Sequence, residues 1–118
     1  MQVFDGEIGY PPWVFGLSRY CFDDKSKVLA ARFTRGLESL EGADRYSAFH
    51  ALRTCQGNFS YVGCSWQREA AIVFNGAEIV EPRTLNFDAE YLGTPETIEF
   101  PTSDGDTAWA LFLSLIHI

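Results

Sequence analysis

The stretch EAAIVFNGAEIVE, residues 69–81, decides the fold class of this 118-residue chain. Two apolar runs, 69–74 and 77–81, flank Asn75 and Gly76, a pair that tolerates the positive φ angles of a type I′ turn. The stretch therefore predicts a tight β-hairpin.

Strand-like runs also precede this hairpin, whereas no sustained helical stripe is present. YSAFHALR (46–53) and NFSYVGCS (58–65) are separated by TCQG, which suits a short connection between antiparallel strands. KVLAARFT (27–34), after a turn at DDKSK, predicts one strand with Leu29, Ala31 and Phe33 on the same face.

Two further segments complete the prediction of an all-β fold. GLESLEGAD (36–44) is bracketed by glycines and is predicted to be a loop. The polar, acidic stretch 86–96 predicts a linker, and 97–100 and 107–112 predict a further hairpin. Short strands with turns between them suggest a sandwich or propeller blades, each blade being a four-stranded sheet of about 40 to 50 residues.

Composition excludes several function classes. Nine Lys and Arg against 16 Asp and Glu give a net charge of −7, which repels nucleic acids and anionic membranes. The length of the chain suits a single hydrophobic core. Cys21, Cys55 and Cys64 are predicted to be buried free thiols. Because no secretory signal is visible, we expect a cytoplasmic location. The uncharged run 107–118 is shorter than the about 20 residues of a membrane-spanning helix.

No stretch carries a complete hydrolytic motif. Ser18 in GLSRY and Ser65 in GCSWQ each lack the second glycine of a nucleophile elbow. His50 lies in an alternating run, which favours a strand-surface or hydrogen-bonded histidine over a general base, and His117 is the only other histidine. The sequence has neither a glycine-rich phosphate loop nor a paired-histidine metal motif.

Acidic pairs and one short motif have simpler interpretations. Asp23 with Asp24, and Asp104 with Asp106, lie in turn sequences, where Asp side chains hydrogen-bond the backbone. This interpretation is favoured over calcium binding or acid–base chemistry. Asn58 begins the glycosylation pattern NFS, which carries information only for a secreted protein.

An aromatic segment, YPPWVFG at 10–16, stands out. Its prolines stiffen the approach to Trp13 and Phe15, and the favoured interpretation is that these large side chains lie in a core. An aromatic platform for a ligand is the alternative.

Three stretches together resemble a known family: PPWVFGLSRYCF (11–22), KVLAARFTRG (27–36) and AEYLGTPETIEFPTSDGDTAWALF (89–112). They look like the segment that joins the β-propeller to the catalytic domain in prolyl oligopeptidase family serine peptidases. The most similar members are dipeptidyl aminopeptidases and acylaminoacyl-peptidase-like enzymes. The resemblance is most specific at 13–16 and 91–102. It departs from the family between 34 and 46, where a hairpin is shortened.

The resemblance implies a domain organisation. Residues 1–85 would form about two propeller blades. Residues 86–96 would be a linker, and 97–112 the start of an α/β-hydrolase domain.

The resemblance also implies a function. The parent enzyme would hydrolyse short peptides through an acyl-enzyme, with its Ser–Asp–His triad downstream of this chain. No catalytic, cofactor-binding or metal-binding residue and no cofactor are therefore expected here. The segment would restrict substrate access, with the peptide substrate and the rest of the propeller and hydrolase domain as partners. The alternative is a free-standing small β-domain that binds a ligand or protein through its aromatic surface.

The last six residues, LSLIHI (113–118), are the translation of CTGTCTCTTATACACATC, the start of a transposase adaptor found on short-read sequencing fragments. Residues 113–118 are therefore predicted to be adaptor translation rather than a native edge strand. His50 would then be the only authentic histidine.

Overall fold

The computed structural model describes residues 5–11, 13–86 and 88–114, which form an all-β structure of antiparallel sheets. The strands are, in chain order, β1 Tyr20–Phe22, β2 Val28–Ala30, β3 Arg32–Thr34, β4 Leu37–Ser39, β5 Ala48–Cys55, β6 Asn58–Ser65, β7 Arg68–Phe74, β8 Ala77–Val80, β9 Glu96–Pro101 and β10 Thr107–Phe112. Strands β5 to β8 form one four-stranded sheet, and β1–β2, β3–β4 and β9–β10 pair separately.

The four-stranded sheet is a meander in which each strand pairs with the next along the chain. Gln56 and Gly57 connect β5 to β6 with φ angles of 50° and 77°, and Asn75 and Gly76 connect β7 to β8 with 48° and 82°. Positive φ at both central residues is what a type I′ turn requires. The two hairpins predicted from these turns are therefore confirmed.

Two predictions of secondary structure in the N-terminal half are wrong. KVLAARFT forms two strands, because Ala31 interrupts it by donating its N–H to the carbonyl of Arg19, after which β3 turns to a different partner. The segment 36–44 is not all loop, because β4 pairs with β3 across Arg35 and Gly36, whose φ angles are 53° and 79°. These paired strands have three residues each.

One face of the four-stranded sheet forms the core. Cross-strand partners lie on the same face of a sheet, which places Phe49 beside Gly63, and Tyr61 beside Val73. The buried cluster consists of Ala31, Leu40, Ala43, Phe49, Leu52, Tyr61 and Val73. The segments before β5 therefore cover this face, which we call the covered face.

A bulge in β5 joins the sheet to the N-terminal segment. The register with β6 shifts between His50 and Arg53, and Ala51 has a φ of 53°. The N–H of Leu52 consequently donates to the carbonyl of Ser18 rather than to β6.

A 3₁₀ turn, Ala89–Tyr91, lies between β8 and the last hairpin. Strands β9 and β10 pair along their full length, and the Leu111 side chain lies beside the turn at Gly36, since a Cβ built on Gly36 would be 3.6 Å from Leu111 Cδ2. Of the predicted adaptor segment, residues 115–118 lie outside the described residues. No helix within the described ranges is long and apolar enough to cross a membrane.

Candidate functional site

The aromatic segment before β1 lines an open groove of about 710 Å³. We call it the aromatic groove; its apolar lining includes Ile8, Tyr10, Val14, Phe15, Leu17 and Tyr20. Trp13 is 77% exposed and Phe15 is 98% exposed. The predicted core position of these two rings is therefore wrong, because side chains of the long strands already fill the core while residues 13–16 form a turn that ends at Gly16, φ 80°.

Arg19, another residue that lines the groove, has a buried side chain. The residue is 7% exposed, and its guanidinium forms an ion pair with Glu38 of β4, whose side chain is 5% exposed. Arg19 Nη1 also donates to the carbonyl of Phe49 at 2.8 Å, and Nη2 donates to the carbonyl of Ala31 at 3.4 Å. Arg19 Nε is buried, and none of the residues that the structure describes accepts a hydrogen bond from it. This side chain therefore links the segment before β1 to β4, β5 and the β2–β3 junction.

Two aromatic rings add to this arrangement. Arg19 Cζ lies 5.3 Å from the ring centroid of Tyr10 and 5.0 Å from that of Phe33, distances at which a cation is attracted to an aromatic ring. Neither Arg19 nor Glu38 was predicted from the sequence. The sequence signal for Arg19 is that it is the single charged residue within the mainly apolar stretch 17–22. This signal does not identify Glu38 as its partner.

The second face of the four-stranded sheet carries exposed apolar side chains. Its central row is His50, Val62, Ile72 and Val80, one residue from each strand, and Phe74 follows on β7. Ile72, Phe74 and Val80 are exposed, whereas His50 and Val62 are half-buried. We call this surface the open face.

A charged cluster closes the β8 edge of the covered face. Arg68 donates two hydrogen bonds to the Glu78 carboxylate, at 2.9 and 3.0 Å, and Tyr46 donates its hydroxyl proton at 2.6 Å. The bonds from Arg68, then Tyr46, then Arg45, lower the pKa of Glu78 to about 2. Burial and the neighbouring Glu78 carboxylate raise the pKa of Tyr46 to about 12.

The candidate nucleophiles serve local structure. Ser18 Oγ donates to the carbonyl of Tyr20 at 2.7 Å, and Ser65 Oγ accepts from the N–H of Gln67 at 3.4 Å. His50 lies on the edge strand β5 opposite Val62 of β6, which is the strand-surface placement predicted for it.

The acidic pairs support turns, as predicted. Asp23 Oδ1 accepts from the N–H groups of Lys25 and Lys27, and Asp24 Oδ1 accepts from the N–H of Gly57. Across the described ranges, no group of three or more His, Cys, Asp or Glu side chains could hold a metal ion.

In the other pair, the Thr102 hydroxyl donates to Asp104, and this bond lowers the pKa of Asp104. The backbone of Asp106 takes part in the same turn, because its carbonyl accepts from the N–H of Thr102 at 2.8 Å.

The cysteines follow the prediction only in part. All three are free thiols. Cys21 and Cys64 are half-buried, and burial raises the pKa of both. Cys55 is exposed, contrary to the prediction, because it is the last residue of β5 beside the turn.

Comparisons with known proteins leave the family open. No protein-family model, no curated protein and no solved structure matches the chain. A function must therefore be argued from the sheet, its two faces and the aromatic groove.

Proposed function

We propose that this chain is part of the substrate-gating propeller of a prolyl oligopeptidase family serine peptidase, together with the first hairpin of its hydrolase domain. One observation carries the proposal: the meander β5–β8 buries apolar side chains on one face and exposes the apolar side chains of Ile72, Phe74 and Val80 on the other. The chain itself would supply no member of the catalytic triad.

The architecture of a propeller would account for apolar side chains on both faces of the sheet. A blade is a four-stranded antiparallel sheet, and each blade packs between two neighbours around a central channel. In this chain the covered face packs on the segments before β5, whereas Ile72, Phe74 and Val80 remain exposed on the open face. A solvated antiparallel sheet instead alternates apolar with polar residues, which the run Ala71–Ile72–Val73–Phe74 does not do.

The order of elements also supports the proposal. The meander is followed by the 3₁₀ turn Ala89–Tyr91 and then by the β9–β10 hairpin, which contains the family-like IEFPT run at 98–102. In the proposed parent the propeller restricts access to short peptides, and serine, histidine and an oxyanion hole of the hydrolase domain cleave them.

The gene downstream of codon 112 gives the most direct test. We expect an open reading frame that continues into a hydrolase domain with a Gly-x-Ser-x-Gly motif. A stop codon in the genomic sequence directly after codon 112 would contradict the proposal.

The gating role is tested in the full-length parent. Ile72→Lys on the open face should loosen blade packing and raise the hydrolysis of long peptides relative to that of dipeptide substrates. Gln67→Lys, in the exposed β6–β7 turn, is the control and should leave this ratio unchanged. An unchanged ratio in Ile72→Lys would argue against gating by this sheet.

A free-standing binding domain is the second candidate, favoured by the exposure of Trp13 and Phe15 beside the groove. It predicts that the chain alone is a soluble monomer with a sharp, cooperative thermal transition. This second candidate also predicts that Trp13→Ala and Phe15→Ala abolish binding of the ligand or protein partner without lowering the melting temperature. The propeller proposal predicts association through the uncovered sheet instead.

A further inference from the structure

Two asparagine side chains connect the turns at one end of the four-stranded sheet. Asn58 begins β6, and Asn75 begins the turn after β7. Asn75 Nδ2 donates to Asn58 Oδ1 at 2.9 Å, and Asn75 Oδ1 accepts from the N–H of Phe59 at 2.8 Å. We call these two side chains the amide clasp.

The first asparagine is itself held in place. Asn58 Nδ2 donates to the carbonyls of Cys55 and Gln56, at 3.2 and 3.3 Å. The backbone N–H of Asn75 also donates to the carbonyl of Phe59 at 2.8 Å. The donor and acceptor atoms of both amides are therefore engaged, and the N–H of Phe59 fixes which end of the Asn75 amide is the oxygen.

The Asn75–Gly76 peptide has the features that favour deamidation. Asn75 is exposed, and Gly76 has no Cβ to hinder attack by its own backbone nitrogen. In this reaction Gly76 N loses its proton and bonds to Asn75 Cγ, while the Cγ–Nδ2 bond breaks and Nδ2 leaves as ammonia. Water then opens the succinimide at either carbonyl and gives aspartate or isoaspartate.

We propose that Asn75–Gly76 is a deamidation site and that the amide clasp slows its cyclisation in the folded chain. The attack requires the Asn75 amide to rotate towards the nitrogen of Gly76. Both hydrogen bonds of the clasp instead hold this amide against Asn58 and Phe59 on the neighbouring strand. Opening the clasp must therefore precede cyclisation.

The product would change the hairpin at its turn. An isoaspartate adds a methylene group to the main chain between two residues whose φ angles, 48° and 82°, define the turn. An aspartate at position 75 has no Nδ2 group, so it could not donate the hydrogen bond that Asn58 Oδ1 accepts. Deamidation should therefore disturb the turn and its hydrogen bond to Asn58 at this end of the sheet.

The test measures deamidation at mildly alkaline pH by peptide mapping, since trypsin releases residues 69–83 with Asn75 inside. The readout is the mass gained when water replaces ammonia, together with the isoaspartate content. Loss of one ordinary hydrogen bond changes an opening equilibrium about threefold to tenfold. We therefore expect Asn58→Ala to deamidate at Asn75 about threefold to tenfold faster than the unmodified chain.

Two variants separate the clasp from general destabilisation. Asn58→Asp keeps an oxygen acceptor for Asn75 and should remain closer to the unmodified rate than Asn58→Ala does. Tyr46→Phe removes the hydrogen bond that the Tyr46 hydroxyl, before β5, donates to Glu78 of β8, and it should deamidate at the unmodified rate. Equal rates in Asn58→Ala and the unmodified chain would overturn the proposal.

A second measurement applies even if Asn58→Ala does not fold. In the unmodified chain, the deamidation rate and the hydrogen exchange of the Phe59 N–H should rise together as urea is added, because both require the clasp to open. A folded chain that deamidates as fast as the urea-unfolded chain would overturn the proposal as well.

Discussion

Arg19 shows how a single residue organises the N-terminal half. A buried charge is tolerated only when it is paired and hydrogen-bonded. Glu38 supplies the opposite charge, and the carbonyls of Phe49 and Ala31 accept further guanidinium protons. These partners come from three separate parts of the chain, so the ion pair fixes their relative positions.

Removing one partner should be strongly destabilising. Glu38→Leu leaves the buried Arg19 unpaired, and we expect the free energy of unfolding to fall by about 3 to 5 kcal/mol, measured by urea denaturation. The exposed pair of Lys27 and Glu41 provides the control, since Lys27→Gln should change stability by less than about 1 kcal/mol. If Arg19→Met is added to Glu38→Leu, most of the loss should be recovered.

The Glu78 carboxylate makes the stability of the fold depend on pH in the acidic range. Its folded pKa of about 2 lies below the usual value of 4.5, so the carboxylate stabilises the fold above about pH 5. That stabilisation is lost as pH falls through the folded pKa. The urea midpoint of the unmodified chain should therefore fall more between pH 5 and pH 2 than that of Glu78→Gln. Parallel pH profiles for the two proteins would contradict this assignment.

At the scale of the strand, Gly63 makes room for an aromatic ring on β6. A Cβ at this position would lie 2.7 Å from Tyr46 Cγ and 2.8 Å from Cδ1, closer than carbon atoms approach. The φ of Gly63 is not in the left-handed region, so space rather than backbone conformation requires glycine.

Gly63→Ala should therefore lower the free energy of unfolding by about 1 to 3 kcal/mol, the usual range for an overpacked core. In a Tyr46→Ala background the same change should become neutral or stabilising, because alanine suits a strand interior better than glycine. Chemical denaturation of the four proteins measures this coupling. An equally large loss of stability in the Tyr46→Ala background would show that the ring does not set the requirement.

The elements that the sequence predicted correctly are those whose pairing is local. The hairpins at Gln56–Gly57 and Asn75–Gly76 are encoded by residues within a few positions of each turn. The split of KVLAARFT at Ala31 depends on the carbonyl of Arg19, twelve residues earlier, and period-two alternation contains no information about such a contact. The exposure of Trp13 likewise depends on which other side chains fill the core.

At the scale of the whole molecule, the open face is the largest departure from an ordinary solvated sheet. Its exposed side chains, Ile72, Phe74 and Val80, form a contiguous apolar surface across two neighbouring strands. Contiguous apolar surfaces of this kind promote association.

The chain alone should therefore associate through this face. We expect Ile72→Thr with Val80→Thr to reduce association, measured by light scattering over a concentration series, with little change in the melting temperature. Matched changes at Leu37, exposed on β4 rather than on this sheet, should leave association unchanged. Equal association of the unmodified chain and the double variant would exclude the open face as the contact surface.

The meander order of β5 to β8 also has a kinetic consequence. Each strand pairs with the one that immediately follows it, so the sheet can assemble by successive closure of short loops, and short loops close fastest. The contact of Arg19 with Phe49 spans thirty residues and can form only after β5 is in place. We therefore expect the sheet to emerge early on the folding pathway, with the N-terminal strands docking onto it in a later, slower phase.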